Sequence, residues 1–443
     1  MRIALAAAAV SVIVMTPAVR AQSAEPADVD ARISKLVASI SESRLEQLVR
    51  TLAGFGTRNT LSDTASPSRG IGAARQWIFD ELERSSARLQ VGFDTHHIPK
   101  GGRITRDVEL RNVVAILPGR SPRRIYVSGH YDTVNIGGQG QIGANTGAPV
   151  ATDRDDNADA PGANDDGSGT ALVMELARVF AESGVAFDAT LVFTAVAGEE
   201  QGLIGARAHA RRMKAENVPV QAVFNNDIVG GAVGGDGTSD GATIRLYSEG
   251  PEDSPSRELA IFTQRIAARY VPSHRIRLMS RRDRFNRGGD HTAWNLEGFA
   301  AVGFRESREN YAKQHNANDT VDGVSVPYLA QSARVNAAAM AVLALAPPPP
   351  VVANERGQPT IDRQPSGYDA HLRWVASPGA AGYRLFWREA WAPDWEHELY
   401  VGNVTEYTLP HSNIDDRVFG VAAVDGEGHE STVSAYVPAP ATY

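Results

Sequence analysis

Apolar residues recur at helical spacing from Ala27 to about Ser85, with Ile33, Leu36, Val37 and Ile40 on one stripe and Leu45, Leu48 and Leu52 on the next. Two or three helices are expected there. Beyond Val91 the pattern changes to short β-branched runs at Asn112–Leu117, Arg124–Ser128, Thr190–Ala197, Ala222–Asn226 and Ala300–Phe304. Longer amphipathic stretches lie between them, such as Thr170–Glu182, where Leu172, Leu176, Val179 and Phe180 share a face, and Pro255–Tyr270. This alternation predicts an α/β fold, a mostly parallel central sheet with helices on both faces, closed by a helix over Val326–Leu345. The prolines 347–350 then favour an extended, semi-rigid spacer. After them the pattern is purely β, at His371–Val375, Gly382–Trp387, Glu398–Val401, Thr405–Leu409 and Val418–Val424. Short strands with Gly, Pro and Asn/Asp turns between them predict a C-terminal all-β sandwich, with Trp374, Tyr383, Leu385 and Trp387 in its core.

Composition narrows the chemistry. The 443 residues are 42% hydrophobic and 22% charged, which excludes disorder as the main state and allows two or three domains. A formal charge of -8 leaves no positive field for nucleic acid. Cysteine is absent, so disulfides, thiol catalysis and thiolate metal sites are excluded, and any metal must be held by His, Asp and Glu. Arg2, the apolar run Ile3–Met15 and the small-residue pattern Ala18-Val19-Arg20-Ala21 read as a signal peptide over residues 1–21. The run is shorter than the ~20 residues a membrane span needs, so an exported, periplasmic or extracellular protein is expected rather than an integral membrane one. The expected division is a catalytic domain over 22–346, a Pro-rich linker over 347–353 and the sandwich over 354–443.

Five places in the α/β region put hard ligand atoms at or just after a strand end, where the loops of an open α/β sheet converge. They are His130 and Asp132 in Gly-His-Tyr-Asp, Asp165 and Asp166 in Asn-Asp-Asp-Gly, and Glu199-Glu200 between Gly198 and Gly202. Asp227 after Asn225-Asn226, and His315, complete the set. Taken singly, each has an ordinary structural reading: a satisfied histidine, a helix N-cap, a solvated acidic pair, a turn. Neighbouring strand residues point to opposite faces, so Glu199 and Glu200 reach one site only where the chain turns, which Gly198 and Gly202 permit. The joint pattern of histidines and carboxylates without cysteine matches the donor set of a catalytic zinc pair.

These residues resemble the co-catalytic di-zinc aminopeptidases of clan MH, the clan that also holds glutamate carboxypeptidases and glutaminyl cyclases, over about Ile33 to Leu345. The resemblance implies two zinc ions per chain: His130 and Asp227 on one, Glu200 and His315 on the other, Asp165 bridging, Asp132 behind His130, and Glu199 as general base. Asn316 stands where the family usually has threonine. Gly288-Gly289-Asp290-His291 is similar to a Ser-Asp-His motif that lines the family's pocket, which makes Asp290 and His291 pocket candidates, with Gly289 in place of the serine. The C-terminal module resembles a fibronectin type III domain, with Arg417 where that family often has tyrosine.

The implied function is an exopeptidase acting on peptides, an aminopeptidase first. A carboxypeptidase or glutamate-directed peptidase is the alternative, motivated by Arg281, Arg282, Arg284 and Arg287, since arginine forks recognise carboxylates. A non-catalytic exported binding protein is the alternative of another class. The acidic loop with Asp153, Asp155, Asp156 and Asp159 reads as solvated, with a calcium site as the competing reading.

Overall fold

Helical spacing between residues 27 and 85 becomes three helices, α1 (Ala31–Ala38), α2 (Glu42–Gly54) and α3 (Gly70–Ser85). Asp30 and Ser41 cap the first two by accepting the backbone N–H of Arg32 and Arg44, donors that a helix start leaves without partners. Their apolar stripes, including Ile33, Leu36, Leu45, Leu48 and Leu52, are buried. The structure is a computed structural model and describes residues 29–136, 155–251 and 253–437, so the expected signal peptide lies outside the described residues.

The sheet that follows has eight strands. These are β1 (Gln90–Ile98), β2 (Val108–Leu117), β3 (Arg124–His130), β4 (Thr190–Val196), β5 (Val220–Asn226), β6 (Thr243–Ser248), β7 (Arg275–Met279) and β8 (Ala301–Glu306), in spatial order β1-β2-β4-β3-β5-β8-β6-β7. The centre, β4-β3-β5-β8, is parallel, whereas β2 joins β4, and β6 joins β8, in antiparallel register. Five further helices, α4 (Gly167–Glu182), α5 (Ile204–Ala215), α6 (Pro255–Tyr270), α7 (Asp290–Leu296) and α8 (Val326–Leu345), provide the connections and the cover. A large core of buried apolar residues includes β-strand positions and nearly all of α8. No helix among the described residues is long and apolar enough to cross a membrane.

The helical and strand runs of the sequence account for the centre of the sheet but not its edges. Strands β1 and β7 are edge strands with few buried positions, so they lack the apolar run that marks a central strand. In α5 the arginines at 207, 211 and 212 interrupt the apolar stripe, and the helix buries only small or medium side chains beside His209 and Met213.

Beyond α8, residues 347–350 have no regular structure, yet Pro347 and Pro350 are buried. Two antiparallel sheets follow. One joins β9 (Ile361–Asp362), β10 (Ala370–Arg373) and β13 (Glu406–Leu409); the other joins β11 (Gly382–Glu389), β12 (His397–Gly402), β14 (Arg417–Val424) and β15 (Ser434–Ala435). One core lies between them, with Trp374 packed on Tyr383 at 5.3 Å between ring centroids and Leu385, Phe419 and Val421 around them. Trp387 reaches this core only in part.

The C-terminal sheets dock on α6 through buried polar groups. The Trp395 indole donates to Glu258 at 2.9 Å. Glu430, almost fully buried, accepts from Arg265 at 2.6 Å and from Arg384 at 2.9 Å, while the Arg265 guanidinium also lies 4.5 Å from the centre of the Phe386 ring. At the far edge His429 sits between Asp425 (2.7 Å from Nδ1) and Asp30 (2.9 Å from Nε2), with Arg32 paired to both Asp30 and Glu427.

Burial opposes a charged ring at His429, but Asp425 and Asp30 more than offset it and raise its pKa above the ordinary 6.5. A raised folded value means that this stabilisation is complete below pH 6.5 and is lost as pH rises through the folded value. Both aspartates stay ionised throughout that range because their own values are lowered. The prediction is that His429→Gln destabilises the chain more at pH 6 than at pH 9. Denaturant unfolding of both proteins at the two pH values measures it; an equal loss at both would remove the charged histidine from the interface.

Candidate metal centre

All the candidate ligands sit at the C-terminal ends of the four parallel strands. His130 is the last residue of β3, and Asp132 follows it; Glu199 and Glu200 follow β4; Asp227 follows β5; His315 lies in the loop after β8. Asp165 immediately precedes the start of α4, the helix that follows β3. This is the edge at which the loops of an open α/β sheet form a crevice.

Their side chains meet. The Nε2 atom of His130 stands 3.3 Å from Asp165 Oδ1 and 3.7 Å from Asp227 Oδ1. The Nε2 atom of His315 stands 3.1 Å from Asp165 Oδ2 and 3.5 Å from Glu200 Oε2. Three overlapping donor groups form here, His130–Asp165–Asp227, Asp165–Glu200–His315 and His130–Glu199–Glu200, each with ligand atoms within 4.8 Å of one another, and Asp165 belongs to the first two. Asp165 Oδ2 is buried without a hydrogen-bond donor. A bound cation resolves both the orphaned oxygen and the crowding of carboxylates, so the residues present fit a metal.

The backbone holds this geometry through carboxylates that do not face the donor groups. Asp166 caps α4 by accepting from Gly169 N at 2.9 Å, and it also accepts from His130 N at 3.0 Å and Ile228 N at 3.2 Å. One side chain thus ties β3, α4 and the segment after β5. Of the adjacent pair, Asp165 faces the donor groups and Asp166 is the cap. Asp319 accepts from the backbone N–H of Asn164 at 3.0 Å and Asp165 at 2.8 Å, which positions the shared aspartate.

Asp132 lies beside the imidazole and also grips the turn after β4. His130 Nδ1 bonds the main-chain carbonyl of Asp132 at 3.0 Å, which turns Nε2 toward the carboxylates. The Asp132 carboxylate lies 3.6 Å from that ring and accepts instead from Glu199 N and Glu200 N, both at 3.2 Å, and from Thr60 Oγ1 at 3.1 Å. The turn it grips requires positive φ at Gly198 (75°) and Gly202 (116°), the backbone region glycine enters without strain. Burial, with the other carboxylates adding to it, raises the Glu199 and Glu200 carboxyl groups above their ordinary range.

Asp290 is buried on α7 with neither carboxylate oxygen hydrogen-bonded; burial, and then the charge of Glu199, raises its pKa. His291 turns away from the donor groups and bonds the Arg282 carbonyl at 2.7 Å. Asn316 braces the His315 loop, donating to the carbonyls of Ala312 and Gln314 and accepting from Asn318 N. The arginines are occupied. Arg284 and Arg287 both bond Glu309 Oε2, at 2.8 and 2.9 Å, Arg282 pairs with Glu249, and Arg281 lies over Phe285. In the acidic loop Asp153 lies outside the described residues, while Asp156 and Asp159 pair with Arg106 and Arg69 and Asp155 accepts from Asn157 N.

Two arginines that sequence reasoning missed complete the surroundings. Arg58 is fully buried and donates to the carbonyls of Leu52, Tyr131, Pro161 and Gly162 at 2.5–2.8 Å, joining α2 to the loops on either side of the site. Arg305, also fully buried, contacts the Asp227 carboxylate and donates to the Asp227 carbonyl at 2.8 Å. Nothing in the periodicity marks either one, because a buried arginine interrupts an apolar pattern in the same way as an exposed one.

The model of Peptidase family M28 matches residues 112–340. A probable zinc metalloprotease of Pyricularia oryzae is 38% identical over 450 residues, covering 92% of this chain and 85% of the relative. Among solved structures, the LapA aminopeptidase of Legionella pneumophila superposes with a TM-score of 0.55 at 18% identity, over 76% of this chain and 80% of its own. A glutaminyl cyclase of Porphyromonas gingivalis does so with a TM-score of 0.51 at 17% identity, over 68% and 98%. At those identities the two structures establish the fold.

Asp166→Ala would leave three buried N–H groups without an acceptor. At about 1–3 kcal/mol for each buried polar group left unsatisfied, a loss of about 3 kcal/mol or more in unfolding free energy is expected. Urea unfolding checks it, and a loss below about 1 kcal/mol would show that the three contacts are not what holds the strand ends together.

Proposed function

The chain belongs to peptidase family M28, and from that membership we propose that it is an exported aminopeptidase dependent on two zinc ions. The observation that carries the reading is the pair of donor groups sharing Asp165. We assign His130 and Asp227 to one zinc, Glu200 and His315 to the other, and Asp165 to both. The similarity to the Pyricularia zinc metalloprotease supports the choice of metal. The aminopeptidase fold neighbour supports the choice of exopeptidase. Export rests on the apolar run Ile3–Met15 and the small residues before Gln22, and the catalytic domain is assigned to 22–346 with a fibronectin type III-like module over 354–443.

Zinc, when bound, polarises the scissile carbonyl and makes water acidic enough to react near neutral pH. The remaining work falls to the chain. Glu199 belongs to neither group that shares Asp165, and its raised pKa suits it to accept the proton of the attacking water and deliver it to the leaving amine. The Asp132 carboxylate holds the N–H groups of both glutamates, so the turn presents Glu200 to metal and Glu199 to water at fixed positions. The His130 Nδ1 bond to the Asp132 carbonyl keeps the ring oriented and its Nε2 lone pair available.

Support for the carboxypeptidase alternative is reduced where Arg284 and Arg287 are bound to Glu309 and Arg282 to Glu249, which leaves Arg281 as its remaining motivation. A catalytically empty binding protein would not retain a complete donor set around Asp165.

Two paired glutamate variants test the assignment. Glu199→Gln is expected to keep both zincs and lose about 10²–10⁴-fold in turnover, the usual contribution of a general base. Glu200→Gln is expected to lower zinc content as well as activity. Zinc per chain and steady-state rates on free and N-acetylated peptides measure both; cleavage of the acetylated set rejects an aminopeptidase, and full activity after exhaustive chelation rejects a metalloenzyme. Loss of zinc from Glu199→Gln with both ions retained in Glu200→Gln would exchange the two roles.

A further inference from the structure

Each of the two donor groups that share Asp165 has an arginine beside it, but only one has an arginine on a ligand carboxylate: Arg103 donates to the main-chain carbonyl of Glu200 at 2.9 Å and leaves its carboxylate alone. Among the described residues the carboxylates of Asp165 and Glu200 pair with histidines alone, whereas Asp227 is held by Arg305 at both its carboxylate and its carbonyl. Arg305 leaves β8 with no solvent exposure, and its Nη2 also reaches the Gly288 carbonyl at 3.2 Å and stands 3.6 Å from Asp283 Oδ2. Its contact is with Oδ2 of Asp227, and Oδ1 is the oxygen that faces His130. The guanidinium therefore selects which oxygen is offered to a metal and places a permanent positive charge directly behind it.

The room for that guanidinium comes from one residue. A Cβ at Gly289 would lie 2.3 Å from Arg305 Nη2 and 3.3 Å from Asp283 Oδ2. A larger residue at 289 must displace Nη2, the nitrogen beside the Gly288 carbonyl and Asp283, and so shift the guanidinium whose Nη1 holds Asp227. Gly289 is also the position at which the sequence departs from the serine of the motif it resembles, so the missing side chain and the buried arginine are two halves of one arrangement.

We propose that Arg305, admitted by Gly289, is a positioning residue that makes the two metal positions unequal: it orients Asp227 and weakens the hold of the His130–Asp165–Asp227 position on its cation by charge repulsion. This rests on the two-zinc reading above. The position built from Asp165, Glu200 and His315 fills first, and the position beside Arg305 exchanges its ion more readily.

The test is zinc binding by the metal-stripped full chain, measured as zinc per chain in zinc-buffered solutions with a competing chromophoric chelator. The unmodified protein should bind in two steps separated by at least about tenfold in affinity, the effect of roughly 1.4 kcal/mol of repulsion. Arg305→Gln retains a donor for Asp227 but removes the charge, and should narrow the gap by about tenfold. Arg305→Lys keeps the charge and should keep the gap. Gly289→Ser should narrow it as well, by displacing the guanidinium, and it decides the matter alone if Arg305→Gln fails to fold by circular dichroism. Two equally tight zincs in the unmodified chain, or an unchanged gap in the folded Gln and Ser variants, would overturn the role of Arg305 while leaving two zincs in place. A single zinc at saturation would instead reject the two-zinc reading, and this proposal with it.

Discussion

The buried carboxylates of one crevice, among them Asp132, Asp165, Asp166, Glu200, Asp227 and Asp319, are the constraint on which the rest of the structure depends. An ionised group out of water is tolerated only where donors or opposite charge surround it. The fold answers residue by residue. Asp132, Asp166 and Asp319 are satisfied by backbone N–H groups, and because those donors come from separate segments, satisfying the acids also fixes the segments. Asp227 is satisfied by Arg305. Asp165 and Glu200 have imidazole as their only positive partners and other carboxylates close by, which is where a metal belongs.

Arg58 answers the same constraint at longer range. Its four carbonyl bonds include no carboxylate, yet its charge lies in the field of Asp319, Asp166, Asp132 and Asp165. Burial lowers its pKa only to about 10, so it remains a cation at neutral pH. It serves at once as a brace between α2 and the site loops and as a counter-charge that demands no ligand atom in return.

This division explains what was legible in the chain. The parallel centre of the sheet and the helices α4, α6 and α8 could be read because burial on both sides leaves apolar runs or stripes. The acids at strand ends could be read because hard side chains at those positions are out of place in a core. The edge strands β1 and β7 could not, since half-exposed positions carry little pattern. Arg58, Arg305 and Asp319 were equally hidden: Arg58 bonds the Tyr131 carbonyl 73 positions away, Arg305 holds Asp227 78 away and Asp319 holds Asp165 154 away, and no local spacing encodes such pairs. A second task of the Asp132 carboxylate, holding the turn after β4, was hidden for the same reason, because its donors at 199 and 200 lie on another strand end.

The join between α1 and the C-terminal sheets has a consequence for the order in which the molecule is completed. Asp30 and His429 are 399 positions apart, and Arg32 and Glu427 are 395 apart. Contacts of such separation close almost the whole chain into a loop, and a nascent polypeptide cannot form them until its final strands have been synthesised. The first helix can bury its apolar face in the α/β core before then, but the ion pairs of Asp30 and Arg32 wait for the strands around Glu427 and His429. A product truncated anywhere before Glu427 therefore lacks the clasp that ties α1 to the C-terminal sheets.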